Sequence, residues 1–191
     1  MHFALLVAAI LLTACEKSEQ PRVYSVSKST TTATVATTPA PMPASPALVA
    51  QTSGIGQPTF PKSPSNWTAQ DPGAMRKGSW KVNVDGATAE LAVTAFPGDV
   101  GGRMANINRW RSQLGLPPAD AEMYDAIALV NVGESRGEII RIQSTDGARS
   151  TLAVTVQKNG VSWFLKLTGD TKAIEATTKD LTTFLANTQL P

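Results

Sequence analysis

The stretch TLAVTVQKNGVSWFLKLTGD, residues 151–170, decides the fold of this chain of 191 residues. Asn159-Gly160 is strongly favoured in the two-residue turn of a β-hairpin, where both turn positions need a positive φ. The flanking runs, 151–156 and 161–167, are rich in the β-branched and aromatic residues that suit strands. The stretch therefore predicts an antiparallel hairpin.

Outward from this hairpin, the chain contains more short β-rich runs bounded by turn residues. Asp85-Gly86 separates the first two of them and is a second hairpin signal. The further predicted strands are Ser79–Val84, Glu90–Phe96, Ile127–Val132 and Glu138–Gln143. Together with the two strands of the hairpin at residues 151–170, they predict a mainly antiparallel sheet of about six strands.

Two amphipathic helices accompany these strands. In the first, apolar residues recur every three or four positions, and the helix is expected to end at Gly115 before Pro117-Pro118. The second opens at Asp170 or Thr171. The apolar stripes are Met104, Ile107, Trp110 and Leu114 in the first, and Ile174, Thr178, Leu181 and Leu185, with Phe184 beside them, in the second. The predicted class is α+β, with two main helices packed on the sheet.

The predicted strands and helices and the segment before them contain four tryptophans, Trp67, Trp80, Trp110 and Trp163. Trp110 lies on the apolar stripe of the first helix, and Trp163 alternates with leucines along its strand, so both are expected to be buried. Trp67 precedes the first predicted strand and is the best candidate for an exposed aromatic side chain.

The N-terminus carries an apolar run, Phe3–Leu12, followed by Leu12-Thr13-Ala14-Cys15. The run is too short to span a membrane, and small residues before a cysteine suit a cleavage site. The segment resembles bacterial lipoprotein signal peptides, which implies cleavage after residue 14 and acylation of Cys15. Glu16 then implies sorting to the periplasmic face of the outer membrane. The alternatives are an ordinary cleaved signal or a short buried helix.

Acylation would limit the chemistry of the mature protein, because His2 and Cys15 are the only histidine and cysteine. Catalysis by Ser-His-Asp or Cys-His, zinc sites built on these residues and disulfides are then excluded. Carboxylate pairs, Ser-Lys pairs and oxygen-ligated metals remain. The cluster Asp120, Glu122 and Asp125 does not match a calcium loop. We expect no cofactor and no metal.

Between the signal and the predicted domain lies a segment rich in Thr, Ala, Pro and Ser, including STTTATVATTPAPMPASPALVAQTSG at residues 29–54. It has too little apolar surface to offset the entropy of ordering. We therefore predict a disordered tether at residues 15–57 and one globular domain at residues 58–191. The net charge of +2 gives no reason to expect a nucleic-acid surface.

The phrases AMRKGSW (74–80), FPGDVGGRMANINRWRSQLGL (96–116) and SWFLKLTGD (162–170) resemble an uncharacterised family of secreted or lipid-anchored bacterial proteins. The order of strands and helices resembles the PsbP-like α/β sandwich, including DcrB-type lipoproteins. This resemblance spans roughly residues 67–185. Members of that fold mostly bind macromolecules, so it implies a non-enzymatic module that binds an envelope protein or other envelope component. A carboxylate-dependent envelope hydrolase is the alternative.

Two features around the first helix are candidate sites. Gly98, Gly101 and Gly102 match neither the P-loop motif G-x-x-x-x-G-K-[ST] nor the dinucleotide-binding motif G-x-G-x-x-G. They predict either a structural corner or a loop whose backbone N–H groups contact an anion, aided by Arg103. Asp99 would repel such an anion or cap the helix.

On the helix itself, Asn106, Arg109 and Gln113 form a polar stripe suited to lining a groove. The alternatives for this stripe are a solvated face, or an arginine paired with a carboxylate on a neighbouring strand.

Overall fold

A computed structural model of the protein describes residues 46–191. The predicted signal peptide, Cys15 and the predicted tether as far as residue 45 lie outside the described residues. All described residues belong to one compact unit. No helix among residues 46–191 is long and apolar enough to cross a membrane.

The hairpin predicted from residues 151–170 is confirmed and lies inside the sheet. Its strands are β6 and β7, and the turn residues Asn159 and Gly160 have φ of 51° and 73°. The elements in chain order are α1 (Pro46–Ser53), β1 (Trp67–Ala69), β2 (Arg76–Val84), β3 (Ala87–Pro97), α2 (Gly102–Gln113), a 3-10 turn (Ala121–Tyr124), β4 (Ala128–Val132), β5 (Ser135–Gln143), β6 (Arg149–Lys158), β7 (Val161–Asp170) and α3 (Thr171–Ala186).

The strands form one sheet in the order β1-β2-β3-β7-β6-β5-β4, and every neighbouring pair is antiparallel. This sheet has seven strands where the sequence predicted about six. The additional strand is β1, whose three residues are too short to show an alternating pattern. The described residues also hold three α-helices, one more than the two predicted.

The face of the sheet under α3 carries the main core. The buried residues of this face alternate along the two central strands and are Leu91, Val93 and Ala95 in β3 and Trp163, Leu165 and Leu167 in β7. α3 covers them with six buried residues, Ala173, Ile174, Thr177, Leu181, Phe184 and Leu185. The buried threonine of this helix is Thr177, whereas the predicted stripe contained Thr178.

The opposite face is covered by α2 over part of its area. Ile107 and Trp110 pack there with Ile140, Ile142, Ala153 and Phe164, and together they form a second, smaller core. Met104 and Leu114 of the predicted stripe are partly buried against it. The helix ends as predicted, because Gly115 has φ of 72° and its N–H donates to the Ser112 carbonyl at 3.0 Å.

Trp67 is buried, which corrects the prediction that it is exposed. Its side chain is 5% exposed, and its Nε1 donates to Thr177 Oγ1 at 2.9 Å. The ring packs on Phe184 with a centroid distance of 5.2 Å. The sequence before β1 looked like a loop, but this residue brings that loop onto α3. Trp110 and Trp163 are buried as predicted.

The structure differs from the sequence prediction in the last part of the predicted tether. Residues 46–53 form α1, and Thr52 is 2% exposed. The Lys77 ammonium of β2 donates to the carbonyls of Thr52 at 3.1 Å and Ile55 at 2.6 Å. Residues 46–57 therefore contact the sheet through Lys77, whose ammonium binds carbonyls at the end of α1 and just after it.

Candidate functional site

A groove lies where the N-terminal part of β2, the middle of β3 and β7, and the polar edge of α2 meet. Its volume is about 380 Å³. We call it the α2 groove. Its polar lining is Arg76, Thr94, Asn106, Arg109, Gln113 and Lys166, and its apolar lining is Ala92, Phe96, Val100, Trp110 and Phe164. Three cationic side chains thus face one depression with an apolar wall.

Strand register places residues from distant parts of the chain in this groove. Arg76 pairs with Thr94 across β2 and β3, and Ala92 pairs with Lys166 across β3 and β7. Alternation along each strand then points Thr94 and Lys166 away from the α3 core and toward α2. A bulge between residues 76 and 78 interrupts the β2 ladder beside Arg76.

Two of the three cations are held by amide oxygens. Arg109 Nη2 donates to Asn106 Oδ1, and Lys166 Nζ donates to Gln113 Oε1 at 2.9 Å. Asn106 is 4% exposed, and its Nδ2 donates to the carbonyls of Val100 at 2.9 Å and Gly102 at 2.8 Å. An amide oxygen orients a cation without cancelling its charge, so these two positions stay electropositive.

The third cation, Arg76, is paired with a carboxylate. Arg76 Nη1 donates to Glu90 Oε1 and to Ser79 Oγ, the latter at 2.9 Å. Glu90 itself does not line the groove. Within the described part of the chain, no ion pair shorter than 4.0 Å involves Arg109 or Lys166.

Burial lowers the pKa of the Lys166 ammonium below its usual value of 10.5. The charge of Arg76 lowers the pKa further, Glu90 opposes this effect, and Arg109 adds to the lowering. Burial is the largest of these causes, and Glu90 is the one that opposes the lowering. The positive charge of the groove follows from its lining, which includes three cationic side chains and no carboxylate among the described residues.

The polar stripe predicted from the sequence coincides with one side of this groove. Asn106, Arg109 and Gln113 all line it. Asn106 is a buried structural anchor, whereas Arg109 and Gln113 are exposed. The alternative in which Arg109 pairs with a carboxylate on a neighbouring strand does not hold, because Arg109 donates to an amide on its own helix.

Arg103 lies on a different side of α2. Its Nε donates to Glu138 Oε2 on β5 at 2.8 Å, and its Nη2 contacts Oε1 of the same carboxylate. It lines a separate depression of about 400 Å³, together with Asp99, Asn106, Arg136 and Glu138. The structure therefore places Arg103 in a different depression from Arg109 and Gln113, and only Asn106 lines both.

The glycine-rich turn before α2 has the geometry of a structural corner. Gly98, Gly101 and Gly102 have φ of 75°, 78° and 69°, which residues with a Cβ rarely adopt. Gly98 donates from its N–H to the Gly160 carbonyl at 2.7 Å and accepts from Ser162 Oγ at 2.6 Å. Gly101 is the N-cap and no side chain caps the helix, so Asp99 does not serve as the cap.

The carboxylates Asp120 and Asp125 flank the 3-10 turn, and Glu122 lies within it. Within residues 46–191, no group of three or more acidic side chains is arranged to hold a metal ion. Of the two carboxylates in the Arg103 depression, Glu138 is engaged at both oxygens by Arg103. No carboxylate lines the α2 groove among the described residues.

Sequence reasoning missed Arg76, Lys166 and the two phenylalanines of the groove. The signal available was alternation in SWFLKLTGD, which places Phe164 and Lys166 on the face opposite Trp163. That alternation does not reveal which strand lies next to β7. The pairing of β3 with β7 across more than sixty intervening residues is what assembles the groove.

Comparisons with known proteins found similarity to solved structures but to no named family. No known family and no curated protein matches the sequence. A crystal structure from Bacteroides thetaiotaomicron VPI-5482, at 1.50 Å resolution, is similar with a TM-score of 0.42 and 14% identity. The alignment covers 72% of this chain and 47% of that one, so this chain spans about half the length of the matched protein.

Proposed function

We propose that this chain is a lipid-anchored envelope protein whose domain binds an envelope partner and catalyses no reaction. The observation that supports binding is the α2 groove, with three cations, an apolar wall and a volume of about 380 Å³. Ligand sites in proteins are concave, mainly apolar and carry a few fixed polar groups, and this groove has all three properties.

The groove offers the donors that recognise a negatively charged group. The Arg109 guanidinium has a planar set of N–H donors suited to a carboxylate or phosphate, and Asn106 fixes its position. Asn106 is in turn fixed by two backbone carbonyls, so little side-chain entropy remains to be lost when a partner binds. We therefore assign recognition to Arg109, Gln113 and Asn106, with Arg76 and Lys166 added, and exclude Arg103.

The anchor is proposed from Cys15 and the apolar run before it. Acylation of Cys15 would hold the domain on the periplasmic face of the outer membrane. Cys15→Ala should abolish both acylation and recovery of the protein with membranes. Recovery of unmodified wild-type protein in the soluble periplasmic fraction would contradict the proposal.

Recognition by the groove is tested by crosslinking in intact cells, followed by quantification of co-purified envelope components. Arg109→Gln should lose at least about ten-fold of the specific partner, because a hydrogen bond to a charged group contributes about 1.5–3 kcal/mol. The matched control is Arg111→Gln, on the same helix, whose Nε donates to the Pro117 carbonyl instead. Equal recovery by Arg109→Gln, Arg111→Gln and wild type would refute this recognition surface.

A further inference from the structure

We infer that the α2 groove binds a single-chain amphiphilic anion, with a carboxylate or phosphate head and one apolar tail. This inference rests on the proposed binding function and names the chemistry of the ligand. It commits to a molecule taken up individually into the groove. A membrane surface is a different occupant, which the experiment below separates.

The head of the ligand is assigned to the cationic side of the groove. Arg109 and Lys166 are oriented by the amide oxygens of Asn106 and Gln113, which leave their positive charge in place. Arg76 adds a third cation, whose charge Glu90 partly offsets from outside the groove. Two cations without a carboxylate partner, beside a third that has one, leave net positive charge with which an anionic head can pair.

The tail is assigned to the aromatic wall. Phe164 lies 6.1 Å from Phe96 and 6.2 Å from Trp110 between ring centroids, and the Trp110 ring stands at 76° to it. These rings continue into the small core beneath α2, so the wall is fixed by packing. A bare inorganic anion would leave the half-buried Ala92, Phe96 and Val100 of this groove in water, whereas an alkyl or aryl tail covers them.

The surroundings of Lys166 support an anionic head in the groove, independently of the groove's volume. Its ammonium is half-buried and lies beside two arginines, and burial and these charges together lower its pKa. Such an arrangement costs stability in the free protein. An anion bound against Lys166 offsets that cost, so the ligand and the charge on Lys166 favour each other.

The test is isothermal titration of the predicted mature chain, residues 15–191 with Cys15→Ser and without the apolar run at residues 3–12, with octanoate and with octyl phosphate. Each should bind at least about ten-fold more tightly than acetate or inorganic phosphate, which lack the tail. Octyltrimethylammonium, with the same tail and the opposite charge, should not bind. Arg109→Gln and Lys166→Met should each weaken binding about ten-fold or more, whereas Arg111→Gln and Lys179→Met should not.

Lys166→Met also separates a binding role from a structural one. Loss of octanoate binding with an unchanged or higher melting temperature supports the inference. Loss of binding with a lower melting temperature would mean that Lys166 only maintains the fold, and would overturn its assignment to the head site.

Three outcomes overturn the ligand class. They are equal binding of octanoate and acetate, equal binding of octanoate and octyltrimethylammonium, and binding to phosphatidylglycerol vesicles without binding of either octyl anion. If the octyl anions fail but Arg109→Gln still loses its crosslinked envelope partner, the ligand class is wrong and the proposed binding function stands. If both experiments fail, the groove is not a binding site.

Discussion

The two faces of the sheet are built differently. On one face, α3 contributes six buried residues to a core that spans most of the strands. On the other, α2 contributes three, Asn106, Ile107 and Trp110, and one of these is polar. α2 covers the sheet near β5 and β6 and leaves the neighbouring surface of β3 and β7 open, where the groove lies.

The α3 face is also reinforced by aromatic packing between the helix, the strands β1 and β2, and the segment before β1. Phe184 of α3 contacts the rings of Phe60, Trp67 and Trp80 at centroid distances of 5.9, 5.2 and 5.1 Å. Phe60 follows α1, so the chain before β1 is drawn onto this face. The α2 face has fewer such contacts and instead carries Arg76, Arg109 and Lys166.

The difference between the two faces of the sheet suggests how the domain tolerates the clustered cations of the α2 groove. Burial of a cation near other cations opposes folding, and we expect the larger apolar core on the α3 face to offset this cost. The proposed recognition surface then lies on the face that contributes less to stability. Four measurements test this division, beginning with the largest expected effect.

Phe184→Ala should reduce the free energy of unfolding by about 4–5 kcal/mol, because a large ring is removed from a cluster of three other rings. Urea unfolding followed by tryptophan fluorescence measures this. A loss below about 2 kcal/mol would mean that the α3 face is not the main source of stability.

Trp110→Ala should cost about 3 kcal/mol, at the lower end for a buried aromatic, because the side chain borders the open groove and water can enter the space it leaves. The same urea titration gives the value. A cost equal to that of Phe184→Ala would break the comparison, since both helices would then contribute equally.

Deletion of residues 46–57 should reduce stability by about 2 kcal/mol, because Lys77 loses both carbonyl partners and Ile55 no longer packs on the main core. Thermal melts of the deletion and of wild type measure the difference. Deletion of residues 16–45 is the length control and should leave the melting temperature unchanged. An unchanged melt for the first deletion would show that α1 adds nothing to the α3 face.

Lys166→Met should raise the free energy of unfolding by about 0.5 kcal/mol at neutral pH, because it removes a half-buried charge beside Arg76 and Arg109 and keeps most of the apolar side chain. Glu90 opposes the effect and keeps it small.

The pH dependence of this difference has a definite sign. The folded state lowers the pKa of Lys166, so the unfolded chain holds the proton more strongly. The penalty in wild type is complete below the lowered pKa and disappears as the pH rises toward 10.5. Stability curves of wild type and Lys166→Met should therefore converge on the alkaline side. A constant gap, or a less stable variant at neutral pH, would contradict the repulsion among the cations.

Local signals in the sequence were sufficient for most of the elements. Asn159-Gly160 fixes the turn of the central hairpin because both residues accept positive φ, and Gly115 ends α2 for the same reason. The stripe Asn106, Arg109 and Gln113 follows from helical spacing alone. The short strand β1 and helix α1 escaped prediction, because three and eight residues without a periodic apolar pattern carry no such signal.

The sequence by itself determined the hairpin turns, the end of α2, the start of α3, the apolar faces of both helices and the polar stripe, because each depends on residues within one or two turns of chain. Only the tertiary structure decided that β3 lies beside β7, that Trp67 reaches Thr177, and that Arg76 and Lys166 join Arg109 in one groove. These contacts join residues far apart in sequence. Their partners are selected by the packing of the whole sheet, which no local pattern encodes.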